Sequence, residues 1–331
     1  MQRPTTRTVR RTARVALFPA CLLVAANCAG LPPTSELAAE ELAGERSLSI
    51  GGVEREFLLG GQADGSAKTA LVILHGGRGS AGSAKEQFQF EPLAQREGIL
   101  TVYPDAIGEG TVIVGGEWND GRRFADAERE ARTRSERPDD VGFIAALPGL
   151  LASEYGVDPA NIFLVGASNG GMMTLRVACE APQGFAGFAT VIANFPEGMA
   201  EACDPAVLRP MIFINGTEDR LMPYEGGPVA PMGAADRGRV MGTDETVEWW
   251  ARRAGCAGAG EQAEFGEPGG ATRTLRADWS GCPDGAARRA YKVVGGGHRW
   301  SNDTREGRLA RLAGVSTNDI SYEEAIWSFF R

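Results

Sequence analysis

Residues 161–174 limit the possible fold more than any other part of the chain; they read Asn-Ile-Phe-Leu-Val-Gly-Ala-Ser-Asn-Gly-Gly-Met-Met-Thr. Residues 162–165 form a short apolar run, which is typical of a strand buried on both faces. After a glycine-rich turn, apolar residues follow helical spacing through Met172, Leu175 and Ala178. We therefore predict a strand, a sharp turn and a helix.

The turn itself reads Gly-Ala-Ser-Asn-Gly and fits a Gly-x-Ser-x-Gly motif. In such a turn the serine has a strained backbone, and side chains at Gly166 and Gly170 would collide with the neighbouring strand and helix. Ser168 would then lie exposed at the carboxyl end of the sheet, where a nucleophile can meet a substrate. The alternative is a glycine-rich turn that only bends the chain.

Other apolar segments predict a repeated alternation of strands and helices. Residues 47–59 hold two strand candidates around Gly51-Gly52, a pair suited to a hairpin turn. This alternation is typical of a mostly parallel sheet with helices on both faces, in one domain over residues 47–331. The remaining predicted strands are 70–74, 99–105, 162–165, 188–193, 211–214 and 289–294, and the predicted helices are 84–95, 138–155, 243–253 and one from a Ser321 and Glu324 capping box.

The N-terminus has the pattern of an export signal, in which a basic region precedes an apolar run too short to span a bilayer. We predict a signal peptide over residues 1–29, a tether over residues 30–46, and a secreted, periplasmic or cell-envelope protein. Two processing sites fit: cleavage after Ala29, or cleavage before Cys28 as in a bacterial lipoprotein, which would place a lipid anchor at Cys28. The alternative is a cytoplasmic protein. The basic residues are Arg3, Arg7, Arg10, Arg11 and Arg14.

The chain is acidic, with a formal net charge of -9 at pH 7. An acidic surface repels phosphate groups, which argues against nucleic acid or an anionic membrane as a partner. At 331 residues and 43% hydrophobic composition, the chain has enough apolar material for the core of one large domain or two small ones.

The cysteines agree with export, because removal of Cys21 and Cys28 with the signal leaves an even number. These four cysteines allow three pairings, and the alternative is four buried free thiols. We favour the pairing that is local in sequence. The sequence has no Cys-x-x-Cys motif and no histidine-rich cluster, so we predict no metal site and no cofactor. The favoured pairs are Cys179 with Cys203 and Cys256 with Cys282.

A serine hydroxyl needs a base to take its proton and an acid that holds the base in the right tautomer. The chain has two histidines. In the α/β-hydrolase order the serine comes first, the acid second and the histidine last, so we predict His298 as the base rather than His75. The acid should follow the strand at 211–214. Asp219 is the preferred acid, and its neighbour Glu218 is the alternative.

Acyl transfer also needs donors directed at the developing oxyanion. We predict the backbone amides of Asn169, directly after the serine, and of Gly77, where glycine lets the backbone approach the substrate. His75 is expected to orient this loop by hydrogen bonding, and His75 and Gly76 are candidate substrate contacts. Trp300 is a candidate wall of the substrate cleft, with simple packing as the alternative.

These motifs, in this order, resemble those of the polyhydroxybutyrate depolymerase and feruloyl esterase group of α/β-hydrolases. The resemblance covers about residues 47–331. It implies an α/β-hydrolase fold, a secreted serine esterase with nucleophile Ser168, acid Asp219 and base His298, and the local cysteine pairing. The motifs are Leu74-His75-Gly76-Gly77, Asp139-Asp140-Val141-Gly142-Phe143, Gly166-Ala167-Ser168-Asn169-Gly170-Gly171-Met172, Asn215-Gly216-Thr217-Glu218-Asp219 with Pro223-Tyr224, and Gly295-Gly296-Gly297-His298-Arg299-Trp300.

The leading functional hypothesis is hydrolysis of 3-hydroxyalkanoate oligomers or polymer through an acyl-serine intermediate. The alternative within the same chemistry is a feruloyl or acetyl xylan esterase that acts on plant polysaccharide esters. A serine peptidase with the same three residues ranks below both. A binding protein on a degenerate hydrolase scaffold ranks last, because no member of the predicted Ser-Asp-His set is missing.

Overall fold

The computed structural model describes residues 44–108, 116–123, 138–229, 237–279 and 281–331. The predicted signal peptide, the processing sites at Cys28 and Ala29 and most of the tether lie outside these residues. Strand β1 begins at Gly44, so the last three residues of the predicted tether belong to the folded domain instead. Over the described ranges, none of the helices combines the length and the apolar character needed to cross a membrane.

The described chain contains a large sheet and a small two-stranded ribbon. The ribbon is β8 (Gly227–Pro228) with β9 (Arg239–Val240). The strands of the large sheet are β1 (Gly44–Ile50), β2 (Val53–Gly61), β3 (Thr69–Leu74), β4 (Ile99–Pro104), β5 (Ile162–Ala167), β6 (Gly187–Val191), β7 (Met211–Gly216), β10 (Ala259–Phe265), β11 (Arg273–Trp279) and β12 (Arg288–Val294).

The helices of the described residues agree with the predicted ones except in two regions, one of which is the short helix Arg308–Ala313 that was not predicted. The predicted helix at 84–95 is two helices, because Gln89 adopts a left-handed conformation between them. The predicted cap at Ser321 is confirmed, since its side chain accepts a hydrogen bond from the Glu324 amide. The helices are α1 (Ala81–Gln87), α2 (Phe90–Glu97), α3 (Asp140–Tyr155), α4 (Asn169–Glu180), α5 (Thr243–Arg253), α6 (Arg308–Ala313) and α7 (Tyr322–Phe330).

The large sheet has the strand order β1-β2-β4-β3-β5-β6-β7-β12-β11-β10. From β4 to β12 all neighbouring strands are parallel, while β1 and β2 at one edge and β11 and β10 at the other pair antiparallel. The hairpin predicted around Gly51-Gly52 is the turn between β1 and β2. Because β3, β5, β7 and β12 run in the same direction, the segments that follow them meet at one edge of the sheet.

Each face of the sheet is covered by its own hydrophobic core, which confirms the predicted layers. Along β3, Val72 and Leu74 lie in the core that contains Phe143 of α3. The alternate residues Leu71 and Ile73 lie in the core that contains α7. Successive side chains of a strand point to opposite faces, so these buried residues need helices on both sides.

The two disulfides follow the favoured local pairing. Cys179 at the end of α4 bonds to Cys203, and Cys256 after α5 bonds to Cys282. They close loops with sequence separations of 24 and 26 residues. Cross-links of this span stabilise a fold by about 3 kcal/mol each, mainly because they restrict the unfolded chain.

A buried ion pair connects the edge of the sheet to the start of α3. Arg55 Nη2 of β2 donates to Asp140 Oδ1 at 2.7 Å, and the two side chains are 1% and 3% exposed. The second carboxylate oxygen, Oδ2, accepts from the Asn119 amide at 2.7 Å. Asp140 therefore neutralises a buried arginine and also holds the segment next to Trp118.

We expect Asp140→Ala to lower the free energy of unfolding by about 3–5 kcal/mol, because it leaves the Arg55 charge buried without a partner. The adjacent Asp139→Ala variant should cost only about 1 kcal/mol, since exposed Asp139 merely caps α3 through the Gly142 amide. Urea unfolding measures both. The double variant Arg55→Met/Asp140→Ala should be more stable than Asp140→Ala alone. Equal losses of unfolding free energy in Asp139→Ala and Asp140→Ala would contradict the view that Asp140 neutralises buried Arg55.

Candidate active site

Ser168 lies between β5 and α4 in the strained conformation that the motif predicts. Its φ of 54° and ψ of -119° are unusual for a residue other than glycine. A methyl group on Gly166 would collide with the carbonyl group of Gly170, and one on Gly170 would collide with the carbonyl groups of Leu74 and His75. The glycines are therefore required by the close approach of strand, turn and helix.

The structure brings Ser168, His298 and Asp219 into one hydrogen-bonded chain. His298 Nε2 lies 2.9 Å from Ser168 Oγ, and His298 Nδ1 lies 2.6 Å from Asp219 Oδ2. The other oxygen, Asp219 Oδ1, accepts from the backbone amides of Leu221 and Met222, both at 2.8 Å. A carboxylate only accepts, so Nδ1 carries the proton and Nε2 is free to accept from the serine hydroxyl.

Of the two candidate acids, only Asp219 contacts the histidine. Its side chain is 2% exposed, whereas Glu218 is exposed and lines a separate surface cavity. Asp219 also closes a turn, because its carboxylate accepts a hydrogen bond from the Leu221 amide. The same carboxylate thus fixes its own loop and holds His298.

The loop that carries His298 is held against the loop after β7. Thr217 Oγ1 accepts from the Gly295 amide at 3.0 Å. The His298 amide donates to the carbonyl of Ala313 at 2.6 Å. Since β7 and β12 are parallel neighbours, these contacts fix the acid and the histidine relative to each other.

Asp303 stabilises the segment that follows His298. It forms ion pairs with Arg299 Nε at 3.1 Å and with Arg305 Nη2 at 2.8 Å, and its side chain is buried. Burial raises the pKa of the Asp303 carboxyl, but hydrogen bonds from Arg305 and Arg299 outweigh this and hold the pKa well below its usual range. The ionised form is therefore the one that stabilises the folded loop.

A group whose pKa is depressed on folding stabilises the protein above its unfolded pKa, about 3.9 for Asp, and this contribution is lost as the pH falls toward the folded value. We expect the free energy of unfolding of Asp303→Asn to fall less steeply than that of the wild type between about pH 4.5 and 3. Urea unfolding at several pH values measures the slopes. Equal slopes for the wild type and Asp303→Asn would show that Asp303 binds protons with the same affinity in the folded and unfolded states, which would contradict the prediction.

The predicted oxyanion donors lie beside the serine. Asn169 is the first residue of α4, so its N–H has no acceptor within the helix. Its side chain binds both backbone groups of Trp118, with Oδ1 accepting at 2.7 Å and Nδ2 donating at 3.0 Å. Gly77 lies close enough that a β-carbon there would contact the Asn169 β-carbon at 3.5 Å. Gly76, Gly77 and Asn169 all line the cavity that contains Ser168.

His75 is 1% exposed and does not line this cavity, so its predicted substrate contact is wrong. Its Nδ1 lies 2.7 Å from the carbonyl of Gly76, and its Nε2 accepts from the Ala106 amide at 3.1 Å. Trp118 Nε1 donates to the carbonyl of His75 at 3.0 Å. This geometry supports the other predicted role of His75, which is to orient the loop that contains Gly76 and Gly77.

The predicted cleft contact of Trp300 is also wrong, and simple packing is correct. Trp300 is fully buried in the core beneath α7 and stacks on Phe88 with ring centroids 4.5 Å apart. Its ring also meets Phe90 and Tyr322 edge to face. The side chain therefore supports the His298 loop from the core side.

The cavity at Ser168 and His298 has a volume of about 380 Å³. Among the described residues, its lining combines an apolar group with a charged group, and none of the charged residues was among the predicted site residues. Arg78 is the one that its sequence position could have indicated, because it directly follows Gly77. The apolar group is Phe88, Met172, Ile192, Leu221, Met222 and Val229, and the charged group is Arg78, Arg122, Arg237, Arg305 and Glu117. The described residues hold no cluster suited to a metal ion.

The chain is similar in sequence to known esterases. The chain is 29% identical over 295 residues to "Putative esterase NocK" of Nocardia uniformis subsp. tsuyamanensis, over 86% of this chain and 81% of that protein. It is 26% identical to feruloyl esterase B of Piromyces equi over 70% of this chain, but it spans only 40% of that longer protein.

Among solved structures, an acetyl xylan esterase from Aspergillus awamori superposes with a TM-score of 0.51 at 14% identity, over 87% of this chain and 98% of that one. This likeness shows the α/β-hydrolase fold. Residues 61–247, more than half of the chain, match the model of the family described as "Putative esterase". Together these matches support carboxylic ester hydrolase activity, and the chain belongs to this esterase family.

Proposed function

We propose that the protein is an exported serine esterase that hydrolyses carboxylic esters through an acyl-serine intermediate. The observation that carries this proposal is the hydrogen-bonded chain from Asp219 through His298 to Ser168, which ends in a cavity large enough for a small acyl group. The two disulfides support export, because such bonds persist in oxidising compartments. The N-terminal sequence also allows export as a lipoprotein, with a lipid anchor at Cys28.

In this mechanism His298 Nε2 takes the proton of Ser168 Oγ as the oxygen attacks the ester carbonyl. Asp219 stabilises the imidazolium that forms. The amides of Asn169 and Gly77 donate to the developing oxyanion, and His298 then gives the proton to the leaving alcohol. Water repeats the same steps on the acyl-serine and releases the acid.

The proposed substrates are 3-hydroxyalkanoate esters, as oligomers or polymer. The resemblance of the motifs supports this choice, and the mixed apolar and cationic lining of the cavity is compatible with it. The alternative is a feruloyl or acetyl xylan ester, which the similarity to a feruloyl esterase favours. A serine peptidase is the third candidate, because the same three side chains can also attack amides.

A substrate panel with an active-site label tests the proposal. The purified protein is assayed on 4-nitrophenyl butyrate, 3-hydroxybutyrate oligomers, methyl ferulate and a peptide amide, and released acids are identified by mass. A fluorophosphonate is then added, and the labelled residue is identified by peptide mass spectrometry. We expect hydrolysis to fall in proportion to labelling of Ser168. Hydrolysis that persists when Ser168 is fully labelled would contradict the mechanism. The substrate that is hydrolysed fastest distinguishes the 3-hydroxyalkanoate esterase, the feruloyl or acetyl xylan esterase and the peptidase.

A further inference from the structure

The cavity at Ser168 has a charge opposite to that of the whole chain. The chain carries a net charge of -9, yet the charged side chains that line this cavity, among the described residues, are four arginines and one glutamate. A cavity lined by one sign of charge concentrates ligands of the other sign. The local excess of positive charge therefore points to an anionic substrate.

Three of the four arginines already have carboxylate partners. Each of these partners offsets the charge that its arginine brings to the cavity. The ion pairs are Arg122 with Asp120 at 2.9 Å, Arg237 with Glu117 at 3.1 Å and Arg305 with Asp303 at 2.8 Å.

Arg78 is the exception among the described residues, because its guanidinium has no ion-pair partner there. The side chain is exposed and lines the cavity. It directly follows Gly77, whose amide is one of the proposed oxyanion donors. Arg78 is therefore the uncompensated positive charge nearest in sequence to the reacting centre.

The backbone of Arg78 is fixed in a conformation that arginine rarely adopts. Its φ is 62°, and its amide donates to the carbonyl of Gly116 at 3.1 Å. The left-handed region costs about 1–2 kcal/mol for a residue other than glycine, and glycine or asparagine would fit better. An arginine held at such a position, beside a proposed catalytic turn, points to a use for its side chain.

We propose that Arg78 binds a free carboxylate on the substrate, so that the enzyme prefers esters that carry a negative charge near the ester bond. The planar guanidinium can bind a carboxylate through two parallel hydrogen bonds. This inference rests on the proposed serine esterase function and narrows its substrates to ester acids. The carboxylate belongs either to the acyl part, as in a half-ester of a dicarboxylic acid, or to the alcohol part, as in a short hydroxy-acid oligomer.

Two matched substrate pairs separate these cases. Mono-4-nitrophenyl glutarate and 4-nitrophenyl butyrate differ by a carboxylate on the acyl side. The 3-hydroxybutyrate dimer and its terminal amide differ by a carboxylate on the alcohol side. We expect the wild type to show a higher kcat/KM for the anionic member of at least one pair, and this preference should weaken at high salt, which screens exposed charges.

The variant Arg78→Met keeps the length of the side chain and removes its charge. We expect it to lower kcat/KM for the preferred anionic ester about tenfold and to leave 4-nitrophenyl butyrate within about twofold of the wild type. Arg78→Lys should retain part of the preference. The control is Arg220→Met, an exposed arginine that lines a different cavity. An anionic preference unchanged in Arg78→Met, or lowered equally in Arg220→Met, would overturn the proposal.

Binding to an inactive protein separates this inference from the function on which it rests. Calorimetry measures binding of mono-4-nitrophenyl glutarate and of the 3-hydroxybutyrate dimer to Ser168→Ala and to Ser168→Ala/Arg78→Met. A loss of about tenfold in affinity for either anionic ester in the double variant supports the role of Arg78 even if the wild type proves inactive on every ester. Equal affinities of the two variants for both esters would overturn that role, while activity on 4-nitrophenyl butyrate would still support the esterase.

Discussion

Ser168→Ala is expected to lower kcat/KM for 4-nitrophenyl butyrate by about 10⁶-fold, the scale seen when the nucleophile of a serine protease is removed. Alanine keeps the β-carbon, so the strained backbone at φ 54° and the glycine contacts of the turn are unchanged. What is lost is the oxygen that lies 2.9 Å from His298 Nε2. The oxyanion donors alone would leave a small residual rate.

The measurement is steady-state hydrolysis by wild type and variant purified in the same way, with circular dichroism and thermal unfolding to show that both are folded. The control is Ser153→Ala, which removes an exposed hydroxyl from α3. Residual activity within tenfold of the wild type in Ser168→Ala would mean that another group, or another protein in the preparation, performs the hydrolysis.

The strained turn at Ser168 was predictable because its requirements are local. Close packing of strand and helix demands glycine at Gly166 and Gly170, and the sequence displays both. The relation between Asp219 and His298 depends on topology, yet the order of motifs along the chain was enough to assign it. The choice between Asp219 and Glu218 required geometry, because only the structure shows the two amides that fix Asp219.

The missed features depend on contacts between distant segments. Strands β10 and β11 were not predicted, since residues 259–279 are largely polar and pair antiparallel at an edge of the sheet. Trp300 looked like a cleft residue because it follows His298 closely, but α2 and α7 enclose it. The pairing of Arg237 with Glu117 joins residues 120 positions apart, and no sequence pattern indicates it.

Asp219→Asn is expected to lower kcat by about 10⁴-fold while leaving the fold intact, as the same change does in serine proteases. The structure gives the reason. Asp219 Oδ1 accepts from the amides of Leu221 and Met222, so the carbonyl oxygen of an asparagine would take that position. Its amide group would then face His298 Nδ1, to which it can only donate. His298 would carry its proton on Nε2 and could not accept the proton of Ser168.

The matched control is Glu218→Gln, which makes the same chemical change at the adjacent exposed carboxylate. We expect it to stay within about twofold of the wild type in kcat, because Glu218 lies outside the hydrogen-bonded chain. Labelling of Ser168 by a fluorophosphonate should slow in Asp219→Asn in parallel with kcat, since both reactions need the neutral Nε2 as base. Similar losses in the two variants, or rapid labelling of Asp219→Asn, would contradict the view that Asp219 acts by setting the tautomer of His298.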